Sequence, residues 1–176
     1  MYKPKWSKLK KELEGFICDS LKDRVSYYAT NYRKAHDQLG RAYITVDKKE
    51  VFNMCTIKSN RILFNKENEL RKLIDIDYDV DNGAENYRIS VQAHEIIESE
   101  GTFAQYDFFN AAEQYLNAPI DHSLESKDMI IKIFSLLDRR IGKRTLLKRY
   151  ESIQNDLEII QYFYRLRCEA EGWEFK

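Results

Sequence analysis

The strongest constraint on the fold is the segment 129–150, where an apolar helical run turns abruptly into a basic one. Apolar side chains recur there at the spacing of one helix face: Ile130, Ile133, Phe134, Leu137 and Ile141. Other apolar residues widen that face, so we predict a helix that is buried on most sides and ends at Gly142. Because charged residues interrupt the run, its uncharged part is too short to cross a bilayer.

Length and composition favour a globular protein. The 176 residues suffice for one domain, or for two small domains that share an interface. With 43% hydrophobic residues and a net charge of zero, the chain can form a core and has no overall attraction to DNA or membranes. We expect neither a signal peptide nor a membrane contact. Three widely spaced cysteines, Cys18, Cys55 and Cys168, predict thiols in a reducing compartment, by default the cytoplasm.

The first half of the chain combines a helix with strand-like segments. Ser7 is the expected N-cap of a helix that ends near residue 21. Its apolar face contains Leu9, Leu13, Phe16 and Ile17. The β-forming segments 24–32, 41–46 and 51–55 predict an antiparallel meander that this helix covers on one face.

A change of pattern near residue 82 predicts a boundary between two units. Residues 56–63 are ambiguous, and Asn65 is the expected cap of a short helix after them. The segment 75–83, DIDYDVDNG, is either a short strand with an acidic face or an extended linker. We therefore predict a small α/β unit at 1–82 and a helical domain at 83–176.

The second half shows helical periodicity throughout. We predict a helix at 85–100 and a second one capped by Thr102 or Asp107. The last helix is expected to begin at Asn155, to bury Leu157 with other apolar residues, and to end at Gly172. The fold class is thus α+β, with an N-terminal helix and β-meander followed by stacked antiparallel helices.

Several segments resemble an uncharacterised family of small bacterial proteins. The similar segments are LLDRRIGKRTL (136–146), FYRLRCEAEG (163–172), EGTFAQYDFFNAAEQYLN (100–117), WSKLK and GRAYITVDKKE. The family pattern has Asn-Pro where this chain has Asp128-Met129, and Gly in the strand turn where it has Lys48. The resemblance implies a bacterial cytoplasmic protein, and it assigns no activity, cofactor or residue role.

The candidate metal and phosphate motifs are all incomplete. After His94, Glu98 occupies the position where a zinc-protease helix needs its second histidine, so we predict an exposed acidic helix edge. The aspartates from Asp77 onward lack the glycine and glutamate of a calcium loop. Residues 142–145 lack the glycine and hydroxyl positions of a phosphate loop. We therefore expect no metal and no cofactor.

One basic cluster is a candidate binding patch. It comprises Arg139, Arg140, Lys143, Arg144, Lys148 and Arg149. The favoured interpretation pairs these cations with Asp138 and with the acidic segment 84–128, which has nine acidic residues against two basic ones. The alternative is a surface that faces the phosphates of RNA or DNA.

Three functions remain open from the sequence. Because no catalytic motif is complete, the leading hypothesis is a non-enzymatic module that binds another protein. The second hypothesis is a nucleic-acid-associated protein that uses residues 139–149. The third is an enzyme centred on the segment containing Arg33, His36 and Asp37, the only group on a predicted loop that combines a possible general base with a carboxylate. The oligomeric state is left open.

Overall fold

A computed structural model describes residues 5–31 and 39–173. Helix α1 (Trp6–Phe16) and a 3-10 turn (Asp19–Leu21) precede strands β1 (Val25–Asn31), β2 (Gly40–Val46) and β3 (Lys49–Cys55). The helices that follow are α2 (Thr56–Leu73), α3 (Gly83–Ser99), α4 (Gln105–Asn117), α5 (Ile120–Leu124), α6 (Met129–Leu137), α7 (Lys143–Leu147), α8 (Tyr150–Ile153) and α9 (Glu158–Ala170). The chain is therefore α+β, as predicted.

The sheet is an antiparallel meander in the order β1-β2-β3. Tyr28 lies opposite Tyr43, and their rings stack with centroids 5.0 Å apart. The turn between β2 and β3 places Asp47 and Lys48 at positive φ, +49° and +66°. Glycine adopts this conformation at lower cost than lysine does.

Helix α6 lies at the centre of the core. Apart from Lys132, all of its residues are buried, which confirms the predicted burial of this segment. The Phe134 ring contacts Tyr27 of the sheet, with centroids 5.4 Å apart, and also packs against Phe108 and Tyr115 of α4. Aromatic burial on this scale makes α6 the element that joins the sheet to the helical layer.

The end of α6 differs from the prediction. The helix ends at Leu137 and not at Gly142, because Asp138 takes an extended conformation with ψ 129°. A short antiparallel bridge joins Asp138 to Ile17, and the Cys18 backbone N–H donates to the Leu137 carbonyl over 2.9 Å. The bridge supplies partners for backbone groups that would otherwise be orphaned at the helix terminus.

Other predicted helix ends are wrong as well. The first helix ends at Phe16 and not near residue 21, and the N-cap of α4 is Ala104 and not Thr102 or Asp107.

Three further boundaries also differ from the prediction. Lys5 and not Ser7 is the N-cap of α1. Helix α2 starts directly after β3 and runs through Asn65, because Thr56 and Ser59 are already buried in its first turn. Leu157 is the N-cap of α9 and is 39% exposed, so it lies outside the buried face.

Residues 74–82 form neither helix nor strand and are exposed, so this segment is a linker between α2 and α3. The two helices pack against each other as a hairpin. We call residues 73–87 the hairpin tip. The main hydrophobic core contains side chains from both sides of residue 82, from Leu9 to Cys168. The division into two units at that residue stays a prediction.

Candidate interaction surfaces

The basic segment divides into paired and unpaired cations. The Arg140 Nη2 donates to Asp138 Oδ2 over 2.6 Å, and its guanidinium lies 4.0 Å from the centre of the Phe16 ring. Arg149 forms an ion pair with Glu125 of the acidic segment. These two arginines are therefore engaged within the molecule.

The partner of Arg140 is a fully buried carboxylate. Asp138 also accepts hydrogen bonds from the Arg140 backbone N–H, over 2.7 Å, and from the Tyr115 hydroxyl. Burial, reinforced by the hydrogen bond to Asp138, raises the pKa of Tyr115 far above its usual value, so the phenol remains a donor. A buried charge with this number of donors is satisfied.

A buried arginine also contacts this region. Arg167 of α9 donates to the carbonyls of Asp138 and Ile141 over 3.0 and 3.1 Å. We call Tyr115, Asp138, Arg140 and Arg167 the Asp138 cluster. The segments that carry the family resemblance meet in it, since these residues come from 100–117, 136–146 and 163–172. Its contacts are internal, so its geometry indicates a structural role.

The remaining cations face solvent. Arg139, Lys143, Arg144 and Lys148, here called the basic surface, are exposed. Within the described part of the chain, no carboxylate oxygen lies within 4 Å of their charged groups. Lys143, Arg144 and Lys148 line a shallow depression together with Leu147. This surface can attract an anionic partner.

The hairpin tip exposes large apolar side chains. Four of them are between 67% and 80% exposed: Leu73, Tyr78, Val80 and Tyr87. Ile74 and Ile76 are also exposed. Sequence reasoning missed this surface. The alternation of apolar residues with aspartate indicated a strand or a linker, and it did not reveal which side chains stay uncovered.

Arg71 contacts several residues of the hairpin tip. Its side chain is buried beneath the linker, and its Nη2 donates to Asn86 Oδ1 over 2.9 Å. The Tyr78 ring centre lies 5.2 Å from the guanidinium, and the Ile76 N–H donates to the Arg71 carbonyl. Asn86 Nδ2 also donates to the Asp79 carbonyl over 2.6 Å. The exposed apolar residues therefore sit on a segment with defined internal contacts.

The other predicted positions are placed as follows. His94 and Glu98 lie on α3, beside Asp107 of α4, and His94 is only partly exposed. The expected acidic helix edge is thus in contact with the next helix. The candidate catalytic loop with Arg33, His36 and Asp37 lies outside the described residues. Among the helices of the described residues, none is both long and apolar enough to cross a membrane.

Comparison with known proteins identifies the family. The model of the SF0329 protein family matches residues 5–168. The chain belongs to the SF0329 family. This match confirms the expected membership of an uncharacterised family, and it covers all four residues of the Asp138 cluster. Neither a curated protein nor a solved structure matches this SF0329 member.

Proposed function

We propose that this SF0329 member is a protein-binding module that uses the hairpin tip to hold a basic, amphipathic segment of another protein. The observation that carries the proposal is the exposure of Leu73, Tyr78, Val80 and Tyr87 on one short segment. Exposed apolar side chains that cluster in this way mark interaction sites, and tyrosine is enriched in them.

The charge of the tip defines the chemistry of the partner. Residues 73–87 contain four aspartates and one glutamate, and neither lysine nor arginine. The aspartates, at positions 75, 77, 79 and 81, are all exposed. A partner that presents lysine or arginine between apolar residues would complement both features, and complementary charge would also speed the encounter.

The internal contacts of the tip favour binding. Arg71 fixes the linker from below, and the Asn82 side chain caps α3 by accepting a hydrogen bond from the Glu85 N–H over 3.2 Å. A segment that is already ordered loses less conformational entropy when a partner binds. The tip therefore differs from a flexible linker that must fold around its partner.

Peptide display on the full chain tests the proposal. We expect the selected peptides to be rich in lysine, arginine and apolar residues. The triple variant Leu73→Ser, Tyr78→Ser, Val80→Ser should bind them at least tenfold more weakly, because each anchor contributes about 1 kcal/mol or more. Phe64→Ser is the matched control, since Phe64 is 62% exposed on α2 but outside the tip. Selection of acidic peptides, or equal binding by the triple variant, would refute the proposal.

The basic surface supports a second candidate, a nucleic-acid-associated protein. Four cations that have no carboxylate within 4 Å among residues 5–31 and 39–173 could contact phosphates. Fluorescence anisotropy with nonspecific RNA and DNA should then show affinity that falls by about a hundredfold between 50 and 200 mM salt if all four cations contact phosphates. The double variant Arg139→Glu, Lys143→Glu should abolish binding to RNA and DNA. If the wild type does not bind at low salt, the nucleic-acid-associated function is refuted.

We also propose a reducing compartment, the cytoplasm, as the location of the protein. The support is the sequence: the cysteines are odd in number and widely spaced, at positions 18, 55 and 168, which is not the pattern of a disulfide framework. Non-reducing peptide mapping of protein isolated from its host tests this directly. Recovery of a disulfide between any two of these cysteines would contradict it.

A further inference from the structure

Three side chains of types that can bind a metal ion meet between α3 and α4. His94 and Glu98 are one helical turn apart on α3, and Asp107 lies in the first turn of α4. One ligand atom from each residue lies within 4.8 Å of the other two. In the zinc-protease motif, two histidine ligands lie on a single helix. Here Asp107 comes from the neighbouring helix, so a motif within one helix cannot reveal the arrangement.

The imidazole of His94 makes no hydrogen bond where it faces Asp107, as far as the described residues show. Its Nε2 atom is buried and lies 3.5 Å from Asp107 Oδ1. That distance is long for an N–H···O hydrogen bond. It is close to the roughly 3.3 Å expected between two ligands that each lie about 2.05 Å from a tetrahedral zinc ion. A bound metal ion would supply the missing partner.

The ligand side chains are held in place by their surroundings. Asp107 is buried, and its Oδ2 accepts a hydrogen bond from the Ala104 N–H over 2.7 Å, while Oδ1 is directed to His94. The Tyr106 ring stacks on the imidazole, with centroids 6.1 Å apart. Such supporting contacts orient metal ligands and are a normal part of metal sites.

The local electrostatics favour a cation. Burial raises the pKa of both Glu98 and Asp107, and the nearby charge of Asp128 raises both further. A dication between the two carboxylates would offset this repulsion and the cost of burying their charges. Of the three residues, Glu98 also lines a surface cleft of about 750 Å³, together with Asp128, Lys127 and Lys132. The cleft gives an ion a route of entry and room for coordinating water.

We propose that His94, Glu98 and Asp107 bind one divalent transition-metal ion, best matched by Zn²⁺. A nitrogen and two carboxylate oxygens suit first-row metals such as Zn²⁺ and Co²⁺, whereas Mg²⁺ and Ca²⁺ prefer an all-oxygen set. Three protein ligands, of which Glu98 reaches an open cleft, leave a coordination position for water. This site is independent of the hairpin tip and of its partner.

Titration of the metal-free full chain tests the site. We expect one Zn²⁺ per chain by calorimetry, a visible absorption spectrum with Co²⁺, and no binding of Mg²⁺. His94→Ala and Glu98→Gln should each weaken Zn²⁺ binding at least tenfold, because each removes one of three ligands. His122→Ala is the matched control, since His122 is an exposed histidine on α5. Circular dichroism of the metal-free variants verifies that they are folded.

Imidazole NMR of the wild-type chain provides a test that needs no variant. Zn²⁺ should shift the ring resonances of His94, while those of His122 and of the remaining histidine, His36, stay unchanged. A Kd weaker than roughly 100 µM for the wild type would overturn the proposal. Undiminished affinity of His94→Ala, or a shift confined to His36 or His122, would overturn it as well.

Discussion

Replacing Asp138 by alanine should destabilise the protein strongly. The carboxylate is completely buried and accepts hydrogen bonds from the Arg140 backbone, the Arg140 guanidinium and the Tyr115 hydroxyl. Asp138→Ala removes the acceptor and leaves all three donors. Removing one partner of a buried pair is more costly than never having formed the pair, because the other partner remains desolvated.

The structure sets the size of the effect. The Tyr115 hydroxyl is buried, so leaving it without an acceptor costs about 1–3 kcal/mol. The Arg140 side chain is 36% exposed and can regain water, so the loss of its hydrogen bond to Asp138 costs less, on the order of 1 kcal/mol. With the lost backbone hydrogen bond, we expect the free energy of unfolding to fall by roughly 3–5 kcal/mol. For a chain of this length, the melting temperature should drop by about 10 °C.

Urea denaturation followed by circular dichroism measures this change. Asp47→Asn is the matched control, because the Asp47 ion pair with Arg24 is exposed and asparagine tolerates positive φ. The control should leave the free energy of unfolding almost unchanged, because an exposed ion pair contributes little to stability. A loss below about 1 kcal/mol for Asp138→Ala would refute the structural role of the Asp138 cluster.

Two further predictions concern single positions. Gly101→Ala should lower the free energy of unfolding by about 1 kcal/mol or more, because φ is +82° there, whereas Gly83→Ala in the first turn of α3 should be neutral or stabilising. Urea denaturation of both variants measures the difference, and equal effects would contradict the prediction. Burial raises the pKa of Cys168 to about 11, so iodoacetamide at about pH 8 should leave it unmodified in the native protein and label it in urea. Peptide mass spectrometry measures the labelling, and native labelling of Cys168 as fast as that of the less buried Cys55 would contradict the prediction.

The sequence predicted the central helix because its signal is local. Apolar residues at helical spacing identify a buried α-helix whatever its neighbours are. Its end at Leu137 could not be predicted, because the extended conformation of Asp138 depends on partners that are remote in sequence. Tyr115 and Arg167, 23 and 29 residues away, supply those contacts.

The errors at helix caps have a different origin. Asn65 followed by acidic residues is a valid start signal, but the same residues are acceptable inside a helix. Helix α2 continues through it because Thr56 and Ser59 already pack at its beginning. Tertiary contacts thus override a local signal whose energy is only about 1 kcal/mol.

The candidate surfaces were the least predictable part. The composition of the hairpin tip was visible in the sequence, but exposure depends on what covers a side chain, and Arg71 holds the linker so that Tyr78 and Val80 stay uncovered. For the proposed metal site, the sequence showed His94 and Glu98 and did not show that a second helix brings Asp107 beside them.

The two proposed sites share helix α3. The buried residues of α3, Ile89, Ala93 and Ile97, lie outside the main hydrophobic core, and the helix packs mainly on α2. His94 lies seven residues from Tyr87, about 10 Å along the helix. A metal ion bound there would join α3 to α4, whose own residues are part of the core, and so would anchor the hairpin to that core.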